Sequence, residues 1–399
     1  MTAEYQFFID VLADHIHERK TEIPQQELDW KRILELADEQ GLGGILWYQC
    51  REGLKEKPQL LGRLHNYFTS DVFFDVCRRR DMSEVTKAYA EEDIRFVPVK
   101  GMILSKYYPV PQLRTMGDID MVIKTEDRRK TDDIMIRLGF EKKVDNHAVW
   151  TYSRDVVTYE IHDHMMYEPL ANTFDYQTYF DRIWEHAVLS HEGGYCTLQT
   201  EFHFLYLIAH TAKHLTNKGS GMRPFLDMVF MARQEDENMD WKLIESELRK
   251  LCLFEFAKTC FALCGRWFKV EMPFQSDIDE RFYREATQKV LKDGIFGLEN
   301  EENQTGGSAK TIRRSLMPYW MTAVMMTWKK IFPPYRDMQL IPWYSFVDGK
   351  PWLLPVAWIY RWWYCARNKW NHSKQLLSEP FVKREEICRR EKLIDSWGL

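Results

Sequence analysis

The apolar spacing of this chain changes twice along its length, and that double change limits the folds open to it. Up to about residue 90, apolar residues recur at helical intervals. The stretch WKRILELA from Trp30 is one example, and Gly41, in GLGG, ends it. Leu60 to Ala90 is a longer helical stretch with a charged face that includes Arg78, Arg79 and Arg80. From Ile94 the pattern turns to short apolar runs and strict alternation. Ile94 to Lys100 (IRFVPVK) reads as a strand and Gly101 to Tyr108 as a short helix. Asp118 to Ile123 (DIDMVI) reads as a half-buried strand, and Glu126 to Leu138 as a helix stopped by Gly139. His147 to Ser153 and Val156 to His162 read as two strands joined by a tight turn at Arg154 and Asp155. Helical spacing then returns, with helices expected at Thr200–Leu215, Pro224–Gln234, Trp241–Phe268 and Asp277–Asp293.

This order predicts an α+β fold: a small mixed-sheet core flanked by helical regions on both sides. The expected units are an N-terminal helical region at 1–90, an α/β core at 91–195, a helical domain at 196–298 that completes a cleft, and an aromatic-rich, mainly helical region at 311–399. Glu299 to Lys310 (ENEENQTGGSAK) is polar and Gly-rich, as an exposed loop would be. Beyond it, helices are expected at Thr311–Lys330 and Leu353–Trp370.

Composition narrows the function classes. The net charge of -5 argues against a broad nucleic-acid surface, so no stable nucleic-acid complex is expected. The N-terminus has no signal-peptide pattern and no apolar run is long enough to span a membrane, which predicts a cytoplasmic protein. The eight cysteines form no C-x-x-C pair and read as reduced core thiols; Cys260 and Cys264, four apart, read as core rather than as a metal pair. Aromatic residues reach 14% and are densest between Trp320 and Trp370. Packing against the helical domain, or a homodimer through this C-terminal region, is the expectation for them. A membrane surface is the lesser alternative for Trp343 to Trp370, with Arg361, Arg367 and Lys369.

The chemistry concentrates in RTMGDIDMVI, which begins at Arg114. Asp118 and Asp120 are two apart on an expected strand, and period two puts them on one face. Like charges that close repel unless a cation lies between them. Hard oxygen donors of this kind suit Mg²⁺. An edge strand with two solvated aspartates is the plain alternative. Upstream, Lys100 and Gly101 end a strand at the start of a helix, where backbone N–H groups can approach a phosphate. Arg114 is spaced for a bidentate phosphate contact. Downstream, Glu160 and His162 form a second polar pair at spacing two.

The sequence K-G, R-x-x-x-D-h-D and h-E-h-H resembles the polymerase-β-like nucleotidyltransferase superfamily, most closely its lincosamide and aminoglycoside branch. It is more similar still to a bacterial group known as uncharacterised nucleotidyltransferases. Lys100-Gly101, Arg114 to Asp120, Leu138-Gly139-Phe140 and Glu160-Ile161-His162 carry that resemblance, joined by His210, Lys213 and His214 in H-x-x-K-H and by Arg223 and Asp227 in R-x-x-x-D. It covers about residues 90–235. The resemblance implies a Mg²⁺- or Mn²⁺-dependent enzyme that moves an NMP group from an NTP, with ATP the expected donor, to a small-molecule or protein acceptor. It implies Asp118, Asp120 and Glu160 as catalytic and metal-binding residues. It implies Lys100, Gly101, Arg114, Lys213 and His214 as nucleotide contacts, with His162, His210 and Asp227 around them. Two departures matter: Lys100-Gly101-Met102 replaces the usual Gly-Ser or Gly-Gly, and Glu160 stands where Asp is common, with Asp163 a rival. The alternative reading is a catalytically inactive protein of the same fold that binds nucleotide or a partner.

Three plainer readings stand beside these. His203, His210 and His214 form one helical stripe, but the Glu of H-E-x-x-H is absent, so a zinc site is disfavoured against histidines that face the cleft or lie partly buried. Arg223 and Asp227, four apart, are ordinarily a helix-surface ion pair, and Arg78 to Arg80 a solvated helix face.

Overall fold

A computed structural model of the chain describes residues 1–295 except 146–148, 168–169, 171, 173, 191–193, 218 and 275. Beyond these it describes 328, 331–335, 338, 342–347, 349–368 and 392–399. The fold is α+β, as expected. Four helices come first: α1 (Ala3–Ile16), α2 (Trp30–Gln40), α3 (Gly43–Cys50) and α4 (Pro58–Glu91). Their ends follow local chemistry. The Asp29 carboxylate accepts from the backbone N–H of Lys31 and Arg32 and caps α2, and Gly41 ends it at φ +59°. Pro58 opens α4, where its missing N–H removes no helical bond.

The sheet runs β1 (Phe96–Pro98), β2 (Ile119–Ile123), β5 (Val157–His162), β4 (Trp150–Arg154), β3 (Glu141–Asp145). β2 and β5 are parallel, and the other neighbours are antiparallel. The parallel pair needs a crossover, supplied by α6 (Arg128–Arg137) and the β3–β4 hairpin. A short α5 (Gly101–Leu104) follows β1.

Alternation gives the sheet two unlike faces. Ile119, Met121 and Ile123 of β2 join Tyr159 and Ile161 of β5 in an apolar layer. Met82, Val85 and Tyr89 of α4 and Ile134 and Met135 of α6 cover that layer. The opposite face carries Asp120 and Val122 from β2, and Glu160 and His162 from β5. It looks toward the larger helical core, which Val97, Val99 and Val122 join. That core is built from α1 to α3 and from α8 (Thr200–Asn217), α9 (Arg223–Glu235), α10 (Trp241–Lys250), α11 (Phe254–Phe268) and α12 (Glu280–Asp293). The small helix α7 (Tyr176–Phe180) and a hairpin, β6 (Ala187–Leu189) with β7 (Cys196–Leu198), link the sheet to α8.

Several expectations change. The helix expected over Trp241–Phe268 is two, because the chain turns at Cys252, φ +54°, where the Leu253 N–H donates back to the Leu248 carbonyl. The break lets Leu248, Leu251, Leu253 and Phe256 all reach the core. The strand β3 was not expected: its sequence, EKKVD, is largely exposed at the sheet edge, and it is recognisable only by pairing with β4. The β6–β7 hairpin is a second addition. Cys50, Cys196, Cys260 and Cys264 are buried, in line with core thiols, whereas Cys252 is exposed. In the C-terminal region, α13 (Leu354–Asn368) falls inside the expected helix, and Trp397 is buried against Phe225, Phe256 and Phe282. The loop expected at Glu299–Lys310 lies outside the described residues, as does all of the Thr311–Lys330 helix but Trp328. No helix among the described residues is long and apolar enough to cross a membrane.

Candidate active site

The parallel ladder between β2 and β5 sets Asp120 opposite Glu160, and Val122 opposite His162. Period two then points Asp120, Glu160 and His162 to the same face. One ligand atom from each lies within 4.8 Å of the others. His162 Nε2 is 3.4 Å from Asp120 Oδ1 and 3.9 Å from Glu160 Oε2. Lys100 Nζ donates to Asp120 Oδ1 at 2.7 Å. Burial opposes ionisation of Asp120, but Lys100 and His162 outweigh it and hold the carboxyl below the usual range. Asp118 lies one residue before β2 rather than within it. Burial pushes its carboxyl up to about 6, and the neighbouring charges of Asp120 and Glu160 push the same way. The three acids therefore share one field. The rival Asp163 engages Thr125 and His164 instead, at 3.3 and 3.8 Å.

Lys100 reaches Asp120 from an unusual backbone. Its φ of +56° and ψ of -121° are values that glycine adopts easily and lysine does not. The turn ends β1, and the Val99 N–H donates to the Asp120 carbonyl at 3.0 Å, so β1 and β2 hold the Lys100 stem against the carboxylates. Gly101 has a packing reason to lack a side chain. A Cβ there would lie 2.8 Å from Arg114 Nη1 and 2.9 Å from Met116 Sδ.

Arg114 differs from its expected posture. Nε and Nη2 donate to Asp227 at 3.1 and 2.7 Å, and Nη1 donates to the Thr115 carbonyl. Both partners are buried, and the Tyr108 hydroxyl also donates to Asp227 at 2.8 Å. The fork expected on a phosphate thus ties the loop before β2 to α9. Asp227 is no helix-surface residue: it lies at the centre of this network.

Arg78 corrects another expectation. Arg79 and Arg80 are largely exposed and pair with Asp75 and Asp81, whereas Arg78 is only 7% exposed. It donates to the Met116 carbonyl, within the motif loop. Its guanidinium pKa falls through burial, although Asp75, Asp71 and Asp118 favour the charge. Arg223, one turn before Asp227 on α9, is brought down to about 10 by burial and by Arg114. Its buried Nε has no hydrogen-bond partner among the described residues. Asp71 on α4 is pushed up to about 7 by burial, against the pull of Arg223 and Arg78.

Helix α8 lies over the carboxylate face. Burial pushes the Tyr206 hydroxyl up to about 12, within the field of Lys100, Asp120 and Glu160. One turn on, His210 is held well below the usual imidazole range by burial and by Lys100, His214, Lys213 and His162. The Nε2 atoms of His210 and His214 are 3.3 Å apart. His203, from the same stripe, is buried and brought down to about 4, with Lys106 and Asp227 as its charged neighbours.

A family model described as an uncharacterised nucleotidyltransferase matches residues 26–269. The chain belongs to this nucleotidyltransferase family. Comparison with curated proteins and with solved structures gave no match. The family match begins before α2 and ends at the close of α11. It therefore takes in α4, with Asp71 and Arg78, as well as the sheet, α8 and α9.

The donors fit the divalent cation that a nucleotidyltransferase implies. Two carboxylate oxygens and an imidazole nitrogen converge, and the Asp118 carboxyl beside them is raised by burial and by the charges of Asp120 and Glu160, which a cation would offset. His162, expected outside the metal group, is one of its three closest donors, and Asp118 is the one left outside. Arg78, Arg223, Tyr206 and Asp71 were not expected at the site. Asp71, Asp75 and Arg78 recur at helical spacing on α4, a polar stripe that a search for apolar periodicity passes over.

Proposed function

We propose that this protein is a Mg²⁺- or Mn²⁺-dependent nucleotidyltransferase that moves an NMP group from an NTP, with ATP the expected donor, to a small-molecule or protein acceptor. The observation that carries this reading is the convergence of Asp120, Glu160 and His162 on one sheet face, with Lys100 against Asp120 and with Asp118, just before β2, in the field of both acids. In the reaction, an acceptor nucleophile attacks the α-phosphorus, the bond to the β-phosphate oxygen breaks, and pyrophosphate leaves. A divalent cation, when bound there, would supply Lewis-acid neutralisation of triphosphate charge. Asp118, Asp120 and Glu160 are the proposed ligands, and His162 supports them. Glu160, on the strand adjoining Asp120, is favoured over Asp163 as the group that takes the acceptor proton.

Phosphate charge is then met by Lys100, Arg78 and Arg223, which stand around Asp118 and Asp120. Lys213, His214 and His210 approach the nucleotide from α8. Arg114 acts with Asp227 as a positioning pair that fixes the loop leading into β2, and Gly101 leaves room for that pair. The cleft falls between the core at 91–195 and the helical unit at 196–298, and the reaction is assigned to the cytoplasm.

Thermal unfolding with a panel of NTPs, with and without Mg²⁺ or Mn²⁺, tests the binding half. A metal-dependent rise in midpoint, absent from Asp118→Asn/Asp120→Asn, is expected. No shift with any NTP would sink the reading. A shift without any transfer would favour the inactive nucleotide-binding alternative.

A further inference from the structure

One surface lies far in sequence from the site and outside the family match. On α13, Val356, Ile359 and Trp363 are 52, 63 and 56% exposed, Tyr360 flanks them, and Trp352, 70% exposed, lies in the 3-10 turn Pro351–Leu353 just before the helix. The spacing of the four helical residues places them on one stripe. Helix α13 meets the protein through its other side: Ala357 joins Met338, Tyr344 and Val347 in a small core, and Leu354 and Trp358 pack against it. The Trp358 and Trp362 indole N–H groups donate to the Pro333 and Ile331 carbonyls, each at 2.8 Å, and fix that orientation. The exposed stripe is thus held outward by a built inner face.

The sequence segment that carries this stripe is charged oppositely to the whole chain. Between Lys310 and Lys374 there are eleven Lys and Arg and only two acids, Asp337 and Asp348, in a protein of net charge -5. Eight of the fifteen tryptophans fall in the same segment. Helix α13 has no acid, and Arg367 lies at the end of the stripe, over the Trp363 ring. Trp and Tyr favour the bilayer interface, while Lys and Arg favour anionic headgroups. A nucleic acid would use the cations and the rings but would leave Val356 and Ile359 in water. A lipid interface uses all of them.

We propose that α13 docks the protein peripherally on an anionic lipid surface. The stripe enters the interface, and Arg367 at its end meets the headgroups with the other basic residues of the segment. The inference is independent of the transfer reaction. Its test is co-sedimentation of the full chain with phosphatidylcholine vesicles, with and without phosphatidylglycerol. Binding to the anionic vesicles alone is expected, weakened by salt and reduced roughly tenfold or more by Ile359→Glu/Trp363→Glu. Both side chains are exposed, and an unchanged unfolding midpoint will show that the variant folds. Equal partition with both vesicles, or full binding by the variant, would overturn the proposal. So would a dimer in light scattering that the variant splits, because a second copy would then cover the face. Binding to RNA that outcompetes the vesicles would overturn it in favour of a nucleic-acid partner.

Discussion

Asp118 sits in surroundings poorly matched to its charge. Its carboxyl is pushed up to about 6, against about 3.9 in an unfolded chain. The folded protein therefore holds this proton more tightly, so ionisation of Asp118 takes stability away as pH rises from about 4 through about 6. Asp118→Asn is expected to raise the unfolding midpoint at pH 8 without metal, and to change it little at pH 4. A midpoint that falls equally at both values would contradict the field assigned to Asp118. The Arg114–Asp227 pair behaves in the opposite sense. Asp227→Ala leaves a guanidinium buried without its partner, which costs about 3–5 kcal/mol in denaturant unfolding. A loss under about 1 kcal/mol would show that the pair does not hold the loop. At this scale the sequence was informative where spacing alone fixes geometry. Asp120, Glu160 and His162 fall on one face because strands alternate, whereas Asp118 lies just before β2. Arg78 was not legible, because three consecutive arginines look alike until the helix acquires a neighbour.

Among the elements, α2 reaches the motif loop through the residue that caps its C-terminus. Gly41 ends the helix at φ +59°, its carbonyl accepts from Thr115 Oγ1 at 2.7 Å, and a Cβ there would meet Ile295 Cδ1 at 2.3 Å. Gly41→Ala is expected to cost at least about 1 kcal/mol in unfolding free energy, from backbone conformation and from the clash. It should also weaken nucleotide binding, because the next residue to Thr115 is Arg114. A neutral outcome in both measurements would separate α2 from the site. The GLGG signal made this end readable in the sequence. The turn at Cys252 carries no such signal: Leu251, Cys252 and Leu253 are apolar, and only tertiary burial of both flanks explains the break. The edge strand β3 shows a related limit, since EKKVD has too few apolar residues to alternate visibly and gains its form from β4.

At the scale of the whole molecule, the order of helices, mixed sheet and helices was legible because periodicity changes are long-range patterns. What the sequence did not indicate is which charges become buried together, because that depends on packing α4, α8 and α9 around one sheet face. The acidic net charge, read as evidence against a broad nucleic-acid surface, also conceals two local basic sets: Lys100, Arg78 and Arg223 around the carboxylates, and the segment around α13. In the proposed readings one meets a triphosphate and the other an anionic surface, and they lie in different parts of the chain.

The central claim is NMP transfer by Asp118, Asp120 and Glu160. Its most direct test follows the label from ATP carrying either an α- or a γ-phosphate label, incubated with the protein, Mg²⁺ and a cell extract. The account predicts that α-label enters an acceptor and γ-label leaves as pyrophosphate. It also predicts that Asp118→Asn/Asp120→Asn lowers the rate by at least about 10²–10³-fold. Transfer of the γ-label to the acceptor, or α-label transfer undiminished in the double variant, would contradict it.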